Sequence, residues 1–160
     1  MTLIPPRKES VNERGIALAV ALYALVVIGV LVSGSFFAGR LEQQSGQNSV
    51  FAAQALAAAE AGLDDVLVNA DPAALEALPV GGGPVDLAPL ALAGYLGAAR
   101  QVLRLTSSVF FVRSRGTRND ADGVPLATRT IGLLVRVQPS AGAVPARLSP
   151  VGERAWVLLS

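Results

Sequence analysis

The 160-residue sequence predicts an α+β fold in which the C-terminal half of one long N-terminal helix packs on a small antiparallel β-sheet. Three observations support this fold class. Residues 16–38 carry no charge, residues 39–68 are rich in alanine and contain no proline, and residues 130–138 alternate between apolar and other side chains. The first two patterns predict a continuous helix, whereas strict alternation is typical of a strand with one buried face.

Composition excludes several classes of function. The chain has no Cys and no His, so it has no thiol nucleophile, no Ser-His-Asp triad, no thiolate or imidazole zinc site and no disulfide. A carboxylate-only active site stays possible. Its net charge is +1 and Lys8 is its one lysine, whereas nucleic-acid binding depends on clustered cations. We therefore expect a protein that is not an enzyme, with no catalytic residue, metal, cofactor or nucleic-acid partner.

Residues 1–15 are predicted to be a cytoplasmic leader and residues 16–38 the transmembrane half of the long helix. Thirteen of these 23 residues are Leu, Ile, Val or Phe and five are Ala. A helix of this length rises about 35 Å, enough to cross a hydrocarbon core of about 30 Å. Arg7, Lys8 and Arg14 precede it, and flanking positive charge favours a cytoplasmic N-terminus with the remainder across the membrane.

An ordinary secretory signal is a weaker interpretation of this segment. Such signals have an apolar region of about 7–15 residues with a small-residue cleavage site close behind it. Here the apolar run is longer, and the small-x-small sequence 53–55 lies well downstream. We therefore expect the helix to stay in the protein as a membrane segment.

Residues 39–68 are predicted to be the extracytoplasmic half of the same helix. Seven of the ten residues from 52 to 61 are Ala, the best helix former, and Pro72 marks the expected end. Ala52, Leu56, Ala59, Leu63 and Val66 recur at spacings of three and four, which places them on one face. We expect Leu56, Leu63 and Val66 to form the helix-to-sheet packing.

Residues 69–99 form a connection rich in Ala, Gly and Pro. Its three successive glycines, 81–83, could suggest a phosphate-binding loop. The loop lacks the following Gly-Lys-Ser/Thr and a preceding buried strand, so we interpret it as a structural connection.

Residues 100–160 are predicted to form the small antiparallel sheet domain. Residues 107–115 are the expected hairpin partner of the strand at 130–138, with a turn-rich loop at 116–125 between them. Residues 154–159 are a possible third strand that would bring Trp156 onto the core, and residues 100–105 a possible fourth. Residues 139–150 look like a loop. The apolar face of the best strand consists of Ile131, Leu133, Val135 and Val137.

Two charged groups in this domain have a structural and a functional interpretation. The Asp-x-Asp-Gly sequence at 120–123 is part of a calcium-loop signature, but the other ligand positions are absent and a hairpin turn uses the same residues. Four arginines cluster near the hairpin, and we favour solvent-facing strand ends over a patch for a neighbouring subunit. If the arginines instead form a patch for a neighbouring subunit, they would pair between subunits with carboxylates of the long helix. The arginines are Arg113, Arg115, Arg118 and Arg129, and the carboxylates are Glu42, Glu60, Asp64 and Asp65.

The leader and the helix together resemble a known family. A basic leader ending in Gly15, then Ile16 and a long apolar helix, resembles the class III signal of type IV pilins and pseudopilins. Residues 14–22 (Arg-Gly-Ile-Ala-Leu-Ala-Val-Ala-Leu) and 54–63 (Gln-Ala-Leu-Ala-Ala-Ala-Glu-Ala-Gly-Leu) are similar to the start of PilX-type minor pilins. The resemblance covers residues 13–67, roughly a third of the chain.

The resemblance implies processing and assembly. A prepilin peptidase would cleave between Gly15 and Ile16 and methylate the amine of Ile16. The helix would first contact membrane lipid and the inner-membrane pilus assembly machinery, and then other major and minor pilins within a type IV pilus. The expected assembly residues are Leu18, Val20, Leu22, Leu25, Ile28 and Leu31. The implied location is the bacterial inner membrane and, after assembly, the pilus.

Val20 occupies the fifth position of the expected mature chain. Major pilins carry a glutamate there, thought to pair with the N-terminal amine of a neighbouring subunit. Its absence is typical of PilX-type proteins and of the tip pseudopilin, and it implies a minor subunit that is incorporated into a pilus or primes its assembly. Two alternatives stay open: a minor pseudopilin of a type II secretion system, and an uncleaved single-pass protein with a periplasmic binding domain.

Overall fold

A computed structural model describes residues 11–141, 146–152 and 156–159; at 11–15, 156, 158 and 159 it describes the backbone alone. The chain forms two units, Met1–Gly46 and Gln47–Ser160. A single long helix, α1 (Val11–Asn69), begins in the first unit and ends in the second. The first ten residues of the predicted leader lie outside the described part, and its last five belong to α1.

The end of α1 follows the expected signals. The helix stops at Asn69, and Pro72 begins a second, short helix, α2 (Pro72–Glu76). Asp71 caps α2, because its carboxylate accepts a hydrogen bond of 3.0 Å from the backbone N–H of Ala73. Proline suits the first position of a helix, since the N–H that it lacks would have no partner there. The predicted connection 69–99 therefore contains this helical turn, and it also contains two short strands and the start of a third, none of which we predicted there.

The second unit contains a seven-stranded antiparallel sheet. Its centre is formed by three long strands, and the outer strands contain only two to four residues each. β1 and β2 both pair with β3, and β6 and β7 both pair with β5. The strands are β1 (Val85–Asp86), β2 (Leu90–Leu92), β3 (Leu96–Arg104), β4 (Val109–Asn119), β5 (Pro125–Gln138), β6 (Arg147–Pro150) and β7 (Trp156–Leu159).

The predicted hairpin is confirmed, and its strands are longer than expected. Val112 lies opposite Leu133 in the register of β4 and β5. β4 continues through residues 116–119, which we had assigned to the loop, because it pairs with β3 on one side and β5 on the other. Pairing on both sides outweighs the weak strand preference of Gly and Asn.

The loop predicted at 139–150 is wrong for its last four residues. Arg147–Pro150 forms β6, which pairs with the end of β5. The sequence gives little sign of it, because Ser149 and Pro150 are poor strand formers; proline is tolerated where a strand lies at the edge of a sheet. The strand predicted at 154–159 is present as β7, whereas the side chain of Trp156 lies outside the described ones.

The hydrophobic core lies between the sheet and the part of α1 in the second unit. Alternation along β5 buries the four predicted residues, Ile131, Leu133, Val135 and Val137. β3 and β4 contribute Val102, Phe110 and Val112 to the same cluster. The architecture is therefore the predicted one: a long N-terminal apolar helix packed against an antiparallel sheet, as in pilins.

Candidate functional site

The first unit presents an apolar helical surface. Every side chain from Ile16 to Gly46 that is described there is exposed, and we call residues 16–37 the apolar segment. The six predicted assembly residues lie on it with exposures between 56% and 66%: Leu18, Val20, Leu22, Leu25, Ile28 and Leu31. No described residue of this chain covers them.

Such an exposed apolar surface is unfavourable in water. Burying one large aliphatic side chain stabilises by about 1.5–3 kcal/mol, and this segment exposes more than ten of them, so the total is on the order of tens of kcal/mol. Among the described residues, α1 is the one helix long and apolar enough to cross a membrane. Lipid or the helices of other proteins would both provide the burial.

The expected processing junction lies within α1. Gly15 belongs to the part of the helix described by its backbone alone, and Ile16 is 64% exposed. Val20 projects an aliphatic side chain that is 61% exposed. The position therefore offers no charge to a neighbouring helix.

In the second unit, α1 packs on the sheet through the predicted residues and through smaller ones, of which Ala59 alone belonged to the predicted face. Leu63 and Val66 are fully buried in the core, and Leu56 is half-buried against it. The centre of the buried face is instead formed by residues at spacings of three and four that have little or no side chain. These are Ala55, Ala58, Ala59 and Gly62. The available signal was their small size, which lets a helix approach a sheet closely.

Two glycines allow that close approach. A Cβ atom built on Gly116 of β4 would lie 2.0 Å from the carbonyl oxygen of Ala55 and 2.3 Å from the backbone nitrogen of Ala59. A Cβ on Gly62 of α1 would lie 2.4 Å from Oγ of Ser114. Helix backbone and strand are therefore in direct contact at Gly116, with no space for a side chain.

Two arginines of the sheet also hold α1. Arg100 is 9% exposed and forms an ion pair with Asp65, while it also donates to the carbonyl of Ala88. Asp65 therefore has a partner within its own chain, which removes it from the carboxylates expected to pair between subunits. A buried guanidinium needs such a counter-charge, because burying an unpaired ion is strongly unfavourable.

Arg118 also differs from the expectation of a solvated side chain. Its Nε donates a hydrogen bond of 2.9 Å to Oε1 of Gln54 on α1. Its Cζ lies 5.7 Å from the ring centroid of Phe51 and 5.6 Å from that of Tyr95, a distance at which a guanidinium is attracted to an aromatic face. The other three predicted arginines have no hydrogen-bond or ion-pair partner among the described residues; they are Arg113, Arg115 and Arg129.

The two candidate ligand loops use their polar groups internally. Oδ1 of Asp120 accepts hydrogen bonds from the backbone N–H groups of Asp122 (3.0 Å) and Val124 (2.8 Å), which closes the β4–β5 turn. In the glycine-rich loop, the N–H of Gly81 donates to the carbonyl of Arg104. Within the described ranges no group of three or more Asp, Glu, His or Cys side chains is placed to hold a metal.

Comparison with known proteins gives no match: no protein-family model, no curated protein and no solved structure corresponds to this chain.

Proposed function

We propose that this chain is a minor pilin of the PilX type, processed by prepilin peptidase between Gly15 and Ile16 and then incorporated into a type IV pilus or used to prime its assembly. The single observation that carries the proposal is the uncovered apolar segment that directly follows the Gly15–Ile16 junction. A glycine-terminated basic leader ahead of such a segment is the feature that prepilin peptidase recognises in the family that this sequence resembles.

The proposed mechanism is association rather than catalysis. In the inner membrane, lipid would surround the apolar segment and the second unit would lie in the periplasm. Moving the helix from lipid into a filament replaces one apolar environment by another. Packing against other helices must therefore offset the free energy lost with the lipid contacts. The partners would be other major and minor pilins together with the inner-membrane assembly machinery.

Val20 supports the assignment to a minor subunit. A carboxylate within the apolar segment would be unfavourable in lipid and would need a partner such as the N-terminal amine of a neighbour. With valine at this position, the helix can be inserted without that partner. A subunit of this kind suits a place where no such contact is made, at or near the tip.

The mass of the chain tests this proposal. We would purify the protein from cells with and without prepilin peptidase and measure its intact mass. The expected result is loss of residues 1–15 and gain of one methyl group only where the peptidase is present. A control with Gly15→Leu, which keeps the helix apolar, should remain full length in both strains. An unprocessed 160-residue chain in cells that contain the peptidase would contradict the proposal.

The same measurement tests the alternative of an uncleaved single-pass protein with a periplasmic binding domain. Such a protein would retain its leader in both strains. A minor pseudopilin would be processed like a minor pilin. Deletion of the gene separates these two, because loss of surface pili indicates a pilus subunit and loss of protein secretion indicates a pseudopilin.

A further inference from the structure

The face of the central sheet that points away from α1 carries two arginines with no described partner. Alternate residues of β4 point to opposite sides, so Val112, Ser114 and Gly116 face α1, whereas Phe111, Arg113 and Arg115 face away. We call the second set the outer face. Arg113 and Arg115 line a groove of about 220 Å³ together with Ala99 and Gln101 of β3.

The opposite side of the same unit carries two carboxylates with no described partner. Glu60 and Asp64 lie one turn apart on the exposed side of α1, and Val68, one turn further, is 79% exposed. We call these three residues the helix back. None of the described residues donates a hydrogen bond to Glu60 or Asp64, in contrast to Asp65, which pairs with Arg100.

The spacings of the two surfaces match. Successive members of the outer face lie two strand residues apart, which is about 6.7 Å. Successive members of the helix back lie four helical residues apart, which is about 6 Å. Arg115, Arg113 and Phe111 can therefore face Glu60, Asp64 and Val68 in that order, as two charge pairs and one apolar contact.

The direction of the helix is also consistent with this pairing. Within one chain, Gly116 of β4 contacts Ala59 and Ser114 lies against Gly62, so α1 runs antiparallel to β4. Arg115 therefore lies level with the α1 residues between Ala59 and Gly62, which is where Glu60 is. Copies of one chain anchored in one membrane share their orientation. A second copy placed beside the first at the same height would bring its Glu60 level with Arg115.

We propose that the outer face of one copy binds the helix back of a second copy, side by side in the membrane, through Arg115–Glu60, Arg113–Asp64 and Phe111–Val68. Each copy carries the two surfaces on opposite sides, so the contact is head-to-tail and extends into a row rather than closing as a pair. The contact requires a common membrane orientation but no cleavage at Gly15, so its failure is distinct from failure of the proposed processing.

Carbodiimide cross-linking of the full chain in membranes tests the contact. The reagent joins an amine to a carboxylate that touches it, and Lys8 is the only lysine. In a Lys8→Arg background, Arg113→Lys with Arg115→Lys keeps both positive charges and adds two amines at the outer face. The expected result is several-fold more covalent dimer than from the same background without them.

The matched control is Arg129→Lys in the same background. Arg129 is exposed and lies opposite Gly116 in the register, so its side chain is on the side of the sheet that faces α1. Adding Glu60→Gln and Asp64→Asn to the double-lysine variant should return the dimer to the level of this control. Because Arg115, Glu60 and Asp64 are exposed and Arg113 is half-buried, 1 M salt should also reduce the yield, since the Debye length falls to about 3 Å.

Three outcomes would overturn the proposal: a dimer yield no higher than that of the Arg129→Lys control, a yield unaffected by loss of both carboxylates, or a product that joins this chain to a different protein. Protease resistance of the second unit, compared among the variants, verifies that all of them are folded.

Discussion

Replacing Gly116 by alanine is the sharpest test of how α1 is held on the sheet. The added methyl group would lie 2.0 Å from the carbonyl oxygen of Ala55 and 2.3 and 2.9 Å from the backbone nitrogen and Cα of Ala59. All three contacts are with backbone atoms of a helix, which cannot rotate away as a side chain can. The helix and strand must therefore separate by roughly 1.5 Å, given that ordinary contacts of this kind are about 3.5 Å or longer.

The expected loss of stability follows from the packing around the site. Overpacking a well-filled core costs typically about 1–3 kcal/mol, and separation of the layers also loosens Leu63 and Val66 against the sheet. We expect Gly116→Ala to lower the free energy of unfolding of the second unit by about 2–3 kcal/mol. With a urea dependence of about 1–3 kcal/mol per M, the midpoint should fall by about 1 M or more.

The assay is urea unfolding of the full chain in detergent micelles, followed by circular dichroism. The matched control is Gly97→Ala on β3, where the nearest atoms would be 3.5 Å and 3.7 Å from the new methyl group. This control should leave the midpoint unchanged or raise it, because alanine loses less backbone entropy on folding. Equal midpoints for the two variants would refute the close contact between α1 and β4.

Two further substitutions probe the same interface by the same urea titration. Leu63→Ala removes a fully buried side chain and should cost about 2–4 kcal/mol, whereas Val68→Ala, at an exposed position, should cost less than about 0.5 kcal/mol; similar values for the two would contradict the described burial. Asp65→Asn leaves the buried Arg100 without its counter-charge and should cost about 1–3 kcal/mol, whereas Asp64→Asn should have little effect. If both Asp variants unfold at the same urea concentration, the ion pair does not stabilise the fold.

Sequence reasoning identified the elements with strong local signals. The long uncharged run predicts a helix directly. The four alternating aliphatic residues on β5 predict both the strand and its buried face. The hairpin partner followed because the residues between the two strands are turn formers. In these elements local preference and tertiary environment agree, which is the condition under which patterns are informative.

The elements that were missed depend on tertiary contacts. β6 contains Ser149 and Pro150 and exists because β5 is long enough to pair with it. The predicted face of α1 included Ala59 together with the larger residues, but it omitted Ala55 and Gly62, which also lie at the close contact with β4. Small residues carry no hydrophobic signal, so their role becomes visible only when Gly116 is placed opposite them.

The sequence also did not predict which charged residues contact α1. Residue type alone does not distinguish these arginines. Arg100 and Arg118 hold α1, whereas Arg113 and Arg115 have no described partner. The alternation of β4 could have separated Arg118 from Arg113 and Arg115, since they differ in parity along the strand. It could not have identified Asp65 as the partner of Arg100, because the two are 35 positions apart.

The short outer strands have a consequence for contacts between this unit and other molecules. A long unpaired strand edge offers a row of free N–H and C=O groups to any strand that meets it, which leads to irreversible aggregation. Here β1 and β2 cover one side of the central strands and β6 and β7 cover the other, each over two to four residues. Contacts of this unit with another molecule are therefore favoured through side chains rather than through a continuous intermolecular sheet.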